Sequence, residues 1–175
     1  MGTTSNVLGV MGWLAVTFVA GLAAVRYRPD AWYRQQVKLS CTPPDWIFVP
    51  IWTVLYLLVA VAAWLVWSRH TLAESAGSLS LFLLQSMLSV AWMWLFFRQH
   101  RPGWALTNML ALWFTIFSTI IAFWSLEPIA GVLLMPYLAW VSFMTALNGA
   151  IWANNQSGKT GNRLKQRKQA TLLHP

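Results

Sequence analysis

The stretch that decides the fold is residues 135–155, MPYLAWVSFMTALNGAIWANN. Read as an α-helix at about 100° per residue, it carries one stripe of large side chains, Trp140, Met144, Leu147 and Ile151, with Tyr137 and Asn148 at its margin. A helix in hydrocarbon gains little by turning tryptophan, tyrosine and asparagine toward lipid. The stripe is therefore predicted to face protein or a ligand.

The composition around this stretch is that of an integral membrane protein. Of the 175 residues, 58% are hydrophobic and 9% are charged, and the mean hydropathy is +0.54. The net charge of +8 lies between and after apolar segments rather than on a folded basic face, so it indicates topology and not a nucleic-acid site. The single cysteine, Cys41, excludes an intrachain disulfide.

Hydropathy predicts an all-α membrane protein with a five-helix transmembrane domain over residues 1–155 and a basic C-terminal tail over 156–175. The spans are predicted at 7–25, 46–68, 79–97, 104–124 and 129–152. A signal peptide competes for the first segment, but no Lys or Arg precedes it and no clean small-residue cleavage site follows it. Pro50 is expected in the first turn of the second span, and Pro136 either kinks the fifth span or marks where its regular part begins.

The basic residues predict the orientation of these spans. Four Lys or Arg lie in the first loop, two in the third loop and five in the tail, whereas Arg69 stands alone on the opposite side. By the positive-inside rule the N-terminus lies outside, and the first loop and the C-terminus lie inside. The tail is expected to bind anionic lipid.

Few residues in the spans could carry chemistry. None of the predicted spans contains Asp, Glu, Lys, Arg or His, which argues against proton relays, ion-coupled transport and acid–base catalysis. No metal site and no catalytic residue is predicted, because the histidines lie in loops or the tail. Trp52 and Trp140 lie deep, and for both a ligand cavity and simple helix packing remain open. Gln85 and Asn148 are predicted to form hydrogen bonds between helices.

Several motifs together resemble the TspO/MBR family of tryptophan-rich sensory proteins, which includes the mitochondrial translocator protein. They are Trp32-Tyr33, Lys38, PPDWIFVPIWTVLY at 43–56, Gln85 with Trp92 and Phe96-Phe97, GWAL at 103–106, and the segment from Pro136 to Asn155. The resemblance implies a five-helix bundle, often a homodimer, whose first loop covers a cavity on the side of the C-terminus. It also implies binding of porphyrins such as protoporphyrin IX and haem, and of synthetic isoquinoline and benzodiazepine ligands.

The resemblance also identifies candidate ligand-binding residues. Those that match cavity positions of the family are Phe48, Trp52, Trp104, Trp140, Met144 and Leu147. Tyr56 and Tyr137 are added because they continue the two aromatic ridges. The porphyrin propionates are expected to meet cations of the first loop, namely Arg26, Arg28, Arg34 and Lys38.

The chain departs from the family pattern at several positions. Leu39 replaces a proline, Cys41 a tryptophan and Ser89 an asparagine, and Met144 is larger than the usual residue, which predicts a narrower pocket. No strong axial ligand for iron lies in the spans, so metal-free porphyrin is expected to bind.

The expected function is that of a membrane tetrapyrrole-binding protein, a sensor, regulator or translocator with no obligatory cofactor and no enzymatic activity. An alternative is light-dependent porphyrin breakdown, which in some bacterial members is linked to tryptophans matching Trp52 and Trp140. A structural or lipid-binding role is the other alternative. An untargeted N-terminus fits a bacterial cell membrane.

Overall fold

Four long helices form the part of the chain that the computed structural model describes, which is residues 11–15, 17 and 45–173. The helices are α1 (Phe48–Arg69), α2 (Leu72–Met93), α3 (Pro102–Leu126) and α4 (Pro128–Leu173). A 3₁₀ turn, Asp45–Ile47, precedes α1, and a π-helical turn, Trp94–Arg98, extends α2. Because these ranges contain helices and no strand, the all-α prediction is confirmed for them.

The four helices are long and apolar enough to cross a membrane. The segments that meet this criterion are Val49–Arg69, Leu72–Arg98, Pro102–Leu126 and Pro128–Asn154, and they correspond to the second to fifth predicted spans. Most of the first predicted span lies outside the described residues. Its helical residues 11–15 include Trp13, whose ring meets Phe82 of α2 edge to face at 5.2 Å. The first span, and with it the total of five, remains a prediction, as does the orientation of the termini.

The start of α2 is fixed by a capping box. Glu74 N donates to the Thr71 hydroxyl at 3.4 Å, and Thr71 N donates to the Glu74 carboxylate at 2.9 Å. These reciprocal bonds satisfy amide groups that the first turn leaves without helical partners. The polar segment after Thr71 is therefore helical, and α2 begins before residue 79, where hydropathy alone placed the start of the span.

α3 packs between α2 and α4, and α1 packs mainly against α4 and also meets α2. Fully buried apolar side chains at their contacts include Ala63, Phe82, Ile116, Phe123 and Val141. α4 continues without a break from the membrane segment to Leu173, and Pro136 lies inside it. The predicted basic tail is thus the C-terminal part of this helix.

Two polar contacts join the α1–α2 turn to the α3–α4 turn. Arg69 Nη1 lies 2.8 Å from the Glu127 carboxylate, and His70 Nε2 donates to the Leu126 carbonyl at 3.1 Å. Arg69 is the basic residue that the charge pattern left alone on the predicted outer side, and its charge is neutralised here by Glu127.

Candidate functional site

Aromatic side chains from three elements meet in the half of the bundle where α1 begins and α2 ends. We term this group the aromatic cluster; it consists of Trp52, Tyr56, Trp92, Phe96, Phe97 and Tyr137. Trp52 is 4% exposed. Its ring stacks on Trp92 at 6.2 Å and 27°, and it meets Tyr137 edge to face at 6.1 Å. Trp52 therefore joins α1 to both α2 and α4.

The cluster extends along the end of α2. Trp92 stacks on Phe96 at 5.6 Å and meets Phe97 edge to face at 5.8 Å. The two phenylalanines belong to the π-helical turn, which places both of them on the buried side of the bundle. Such stacked and edge-to-face pairs are the favoured arrangements of aromatic rings. The result is a continuous set of flat ring faces, which helix packing through aliphatic side chains would not provide.

Hydroxyl groups lie at the edge of the cluster. The Ser89 hydroxyl is 2.9 Å from the Tyr56 hydroxyl. Ser89 is fully buried, so this contact satisfies its polar atom inside the membrane segment. The serine that departs from the family pattern thus joins α2 to Tyr56 of α1.

Asn148 fixes the position of Trp92. In the amide orientation that satisfies its neighbours, its nitrogen donates to the Pro102 carbonyl at 3.1 Å, and its oxygen accepts from Trp92 Nε1 and Leu106 N, both at 3.2 Å. Asn148 and Trp92 are each 1% exposed. The prediction that Asn148 bonds between helices is confirmed.

The same prediction for Gln85 is wrong. Its side chain is 1% exposed, yet neither amide atom has a hydrogen-bond partner among the described residues. The physical reason is the alignment of the helices. An amide forms a hydrogen bond between helices only where a neighbouring helix places a polar group opposite it, and none of the described residues does so for Gln85.

The structure brings together part of the predicted ligand-binding set. Trp52, Tyr56 and Tyr137 belong to the aromatic cluster, and Met144 and Leu147 are buried further along α4 at 3% and 2% exposure. With Ile151 and Asn148 also buried, the stripe of residues 135–155 faces the interior as predicted, except for Trp140.

Other predicted site residues lie apart from the cluster. Trp140 is only partly buried and contacts Phe143 at 5.6 Å. Trp104 is 64% exposed in the first turn of α3, which agrees with its position at a span end. The side chains of Phe48 and of the first-loop cations Arg26, Arg28, Arg34 and Lys38 lie outside the described residues.

Sequence reasoning missed the roles of Trp92 and Ser89, although it had noted both residues. The available signal was their spacing, because Gln85, Ser89 and Trp92 follow one another at i, i+4 and i+7 and so share one face of α2. The spacing could not show which residues of α1 contact that face of α2.

The cluster offers ring faces and the hydroxyls of its two tyrosines, and it contains no other ionisable group. In the part of the chain that the structure describes, no three His, Cys, Asp or Glu residues come close enough to hold a metal ion. The arrangement suits a flat apolar molecule that is held by stacking and a few hydrogen bonds.

Comparison with known proteins gives a consistent result. Residues 8–153 match the TspO/MBR family. Human "Translocator protein" is 34% identical over 137 residues, which cover 77% of this chain and 81% of the relative. "Protein CrtK" of Rhodobacter capsulatus is 33% identical over 83% of this chain and 94% of its own length. "Tryptophan-rich protein TspO" of Chlorobaculum tepidum is 37% identical over 71% of this chain and 80% of its own length.

Proposed function

The chain is a multi-pass membrane protein that belongs to the TspO/MBR family, and from this premise we propose that it binds a tetrapyrrole at the aromatic cluster. The observation that carries the proposal is the burial of Trp52 between the rings of Trp92 and Tyr137. Three helices each contribute a ring to one place, and a planar macrocycle can exchange stacking contacts with such a group.

Stacking matters more here than apolar burial alone. Transfer of a porphyrin out of water is favourable at about 25 cal/mol per Å² of apolar surface, but the surrounding lipid offers the same gain because its tails are equally apolar. Selective binding therefore depends on ring stacking, worth about 0.5–1.5 kcal/mol per pair, and on hydrogen bonds. The cluster provides the stacking, and Tyr56 with its neighbour Ser89 provides hydroxyl groups at the edge of the cluster.

The propionates of the ligand need cations at the end of the bundle that holds the cluster. We propose Arg26, Arg28, Arg34 and Lys38 of the first loop for this role, as expected from the sequence. Exposed Arg98 and Arg101 lie in the α2–α3 turn at the same end and add to the positive charge there. Metal-free porphyrin should bind as well as haem, because recognition depends on the ring and its carboxylates.

Reversible binding suits a sensor or regulator of tetrapyrrole level better than a transporter, since the sequence shows no internal repeat of the kind that supports alternating access. We propose a homodimer in a bacterial cell membrane, with no obligatory cofactor and no enzymatic activity. The basic part of α4, which has five Lys or Arg and no Asp or Glu after residue 155, would bind anionic lipid.

Light-dependent breakdown of the bound porphyrin is the second candidate. The stacking of Trp52 on Trp92 favours it, because stacked indoles can share an oxidised state formed beside an excited porphyrin. Under illumination, a Trp52→Phe variant should then bind porphyrin but lose its bleaching, and a wild type that bleaches no faster than the variant would exclude this function.

The test of binding is a titration of the purified, detergent-solubilised protein with protoporphyrin IX, followed by the shift of the porphyrin absorption band. Saturable binding is expected for the wild type, weaker binding for a Trp52→Phe variant, and unchanged binding for Phe114→Ala, whose ring is 63% exposed on α3. Non-saturating binding equal to that of an unrelated membrane protein would refute the proposal.

A further inference from the structure

The buried amide of Gln85 has no role in the contacts described so far. The side chain is 1% exposed, and both Oε1 and Nε2 lack a hydrogen-bond partner among the described residues. Burial of an amide without hydrogen bonds is strongly unfavourable, and such groups in folded proteins are rare. A residue of this kind calls for a polar partner, and the described part of the chain does not supply one.

Gln85 lies next to the aromatic cluster. It precedes Ser89 by one turn and Trp92 by two turns on the same buried face of α2. Since α1 and α2 are antiparallel neighbours and Tyr56 contacts Ser89, their register places Ala60 opposite Gln85. Ala60 and Ala63 are small and buried, so α1 presents no polar group to the amide at this level. A ligand stacked in the cluster would have one edge at the end of the bundle where α1 begins, and its opposite edge, deeper in the bundle, would lie toward Gln85.

The chemistry of the amide indicates which group it would bind. A glutamine side chain has an N–H donor beside a carbonyl acceptor, and it pairs in two parallel hydrogen bonds with a group that offers an acceptor beside a donor. A secondary lactam is such a group. Linear tetrapyrroles carry lactams on their terminal rings, whereas the closed porphyrin ring has none.

We propose that Gln85 is the recognition point for a lactam, and that the site prefers a linear tetrapyrrole to a porphyrin. This inference rests on the proposed function, because it takes the aromatic cluster as the place where the tetrapyrrole ring system lies. It adds to that function a specific polar contact and an order of preference between two classes of ligand.

The test is a pair of titrations of the full chain in detergent, one with biliverdin and one with protoporphyrin IX. Gln85→Met keeps the length of the side chain and removes both polar atoms. Loss of two hydrogen bonds should weaken biliverdin binding by about tenfold or more, while protoporphyrin binding should change by less than about twofold. Gln99→Met, at an exposed position in the α2–α3 turn, is the matched control and should change neither.

The outcomes separate this inference from the proposed function. If the wild type binds neither ligand saturably, the proposed function fails. If protoporphyrin binds but biliverdin does not bind more tightly, or if Gln85→Met weakens both ligands equally or neither, the lactam inference fails and the proposed function stands.

A thermal unfolding measurement on the ligand-free protein guards against a variant that simply folds poorly. Removal of an unpaired amide should leave the midpoint unchanged or raise it. A clear fall in the midpoint of Gln85→Met, with Gln99→Met unchanged, would show that the amide is already paired in the free protein and would overturn the inference.

Discussion

Replacing Asn148 by alanine should destabilise the bundle more than any other single loss of a polar group in the described helices. The Asn148 amide makes three hydrogen bonds, to Trp92 Nε1, Leu106 N and the Pro102 carbonyl, at 3.1–3.2 Å. At about 0.6 kcal/mol each, the average between helices in membranes, they amount to about 2 kcal/mol. The buried indole N–H of Trp92 would then lack a partner, which adds about 1 kcal/mol.

The assay is equilibrium unfolding in mixed micelles, followed by far-UV circular dichroism. We expect Asn148→Ala to lower the free energy of unfolding by about 3 kcal/mol. Asn154→Ala, at an exposed position on the same helix, should stay within about 0.5 kcal/mol of the wild type. A double-mutant cycle with Trp92→Phe should give a coupling energy of about 0.6 kcal/mol or more. A cost for Asn148→Ala no larger than that of Asn154→Ala, with no coupling, would refute the reasoning.

Three further predictions concern packing and polar contacts, and thermal unfolding tests each of them. Gly131→Ala should destabilise the protein by about 1–3 kcal/mol, because its new Cβ would lie 3.0 Å from Trp124 Cε3 and 3.2 Å from Trp124 Cα. Gly77→Ala, where the space is open, should instead stabilise the protein by about 0.5–1 kcal/mol. A Gly77→Ala variant less stable than Gly131→Ala would contradict the account. Glu127→Gln should lower the free energy of unfolding by about 1 kcal/mol, a small value because Arg69 is half exposed and solvent screens the ion pair. In an Arg69→Gln background the same substitution should cause no further loss of stability. Tyr56→Phe, which removes the contact with Ser89, should cost about 0.6 kcal/mol, and an unchanged midpoint would show that this hydroxyl pair contributes nothing.

Hydropathy was sufficient to predict the four described membrane helices, because in hydrocarbon every backbone group must be satisfied within its own helix. The residues at 46–68, 104–124 and 129–152 match α1, α3 and the membrane segment of α4 closely. Pro50 lies in the first turn of α1, as its missing N–H allows. The start of α2 differed because a capping box, not hydrophobicity, decides where that helix begins.

The candidate site was less accessible to sequence reasoning. The aromatic ridge of α1 follows from helical spacing, so Trp52 and Tyr56 could be placed together in advance. Their partner Trp92 depends on the register between two helices, which no spacing within one helix determines. Gln85 and Asn148 show the same limit, since both are amides in apolar helices and only Asn148 meets polar groups on its neighbours.

The measurement that tests the central claim most directly is an experimental structure of the full chain with protoporphyrin IX bound. The account predicts a ring plane in van der Waals contact with Trp52 and beside Trp92, with the propionates toward the end of the bundle where α1 begins. A porphyrin found only on the outer face of α3, against exposed rings such as Phe114, with the aromatic cluster unchanged, would contradict it.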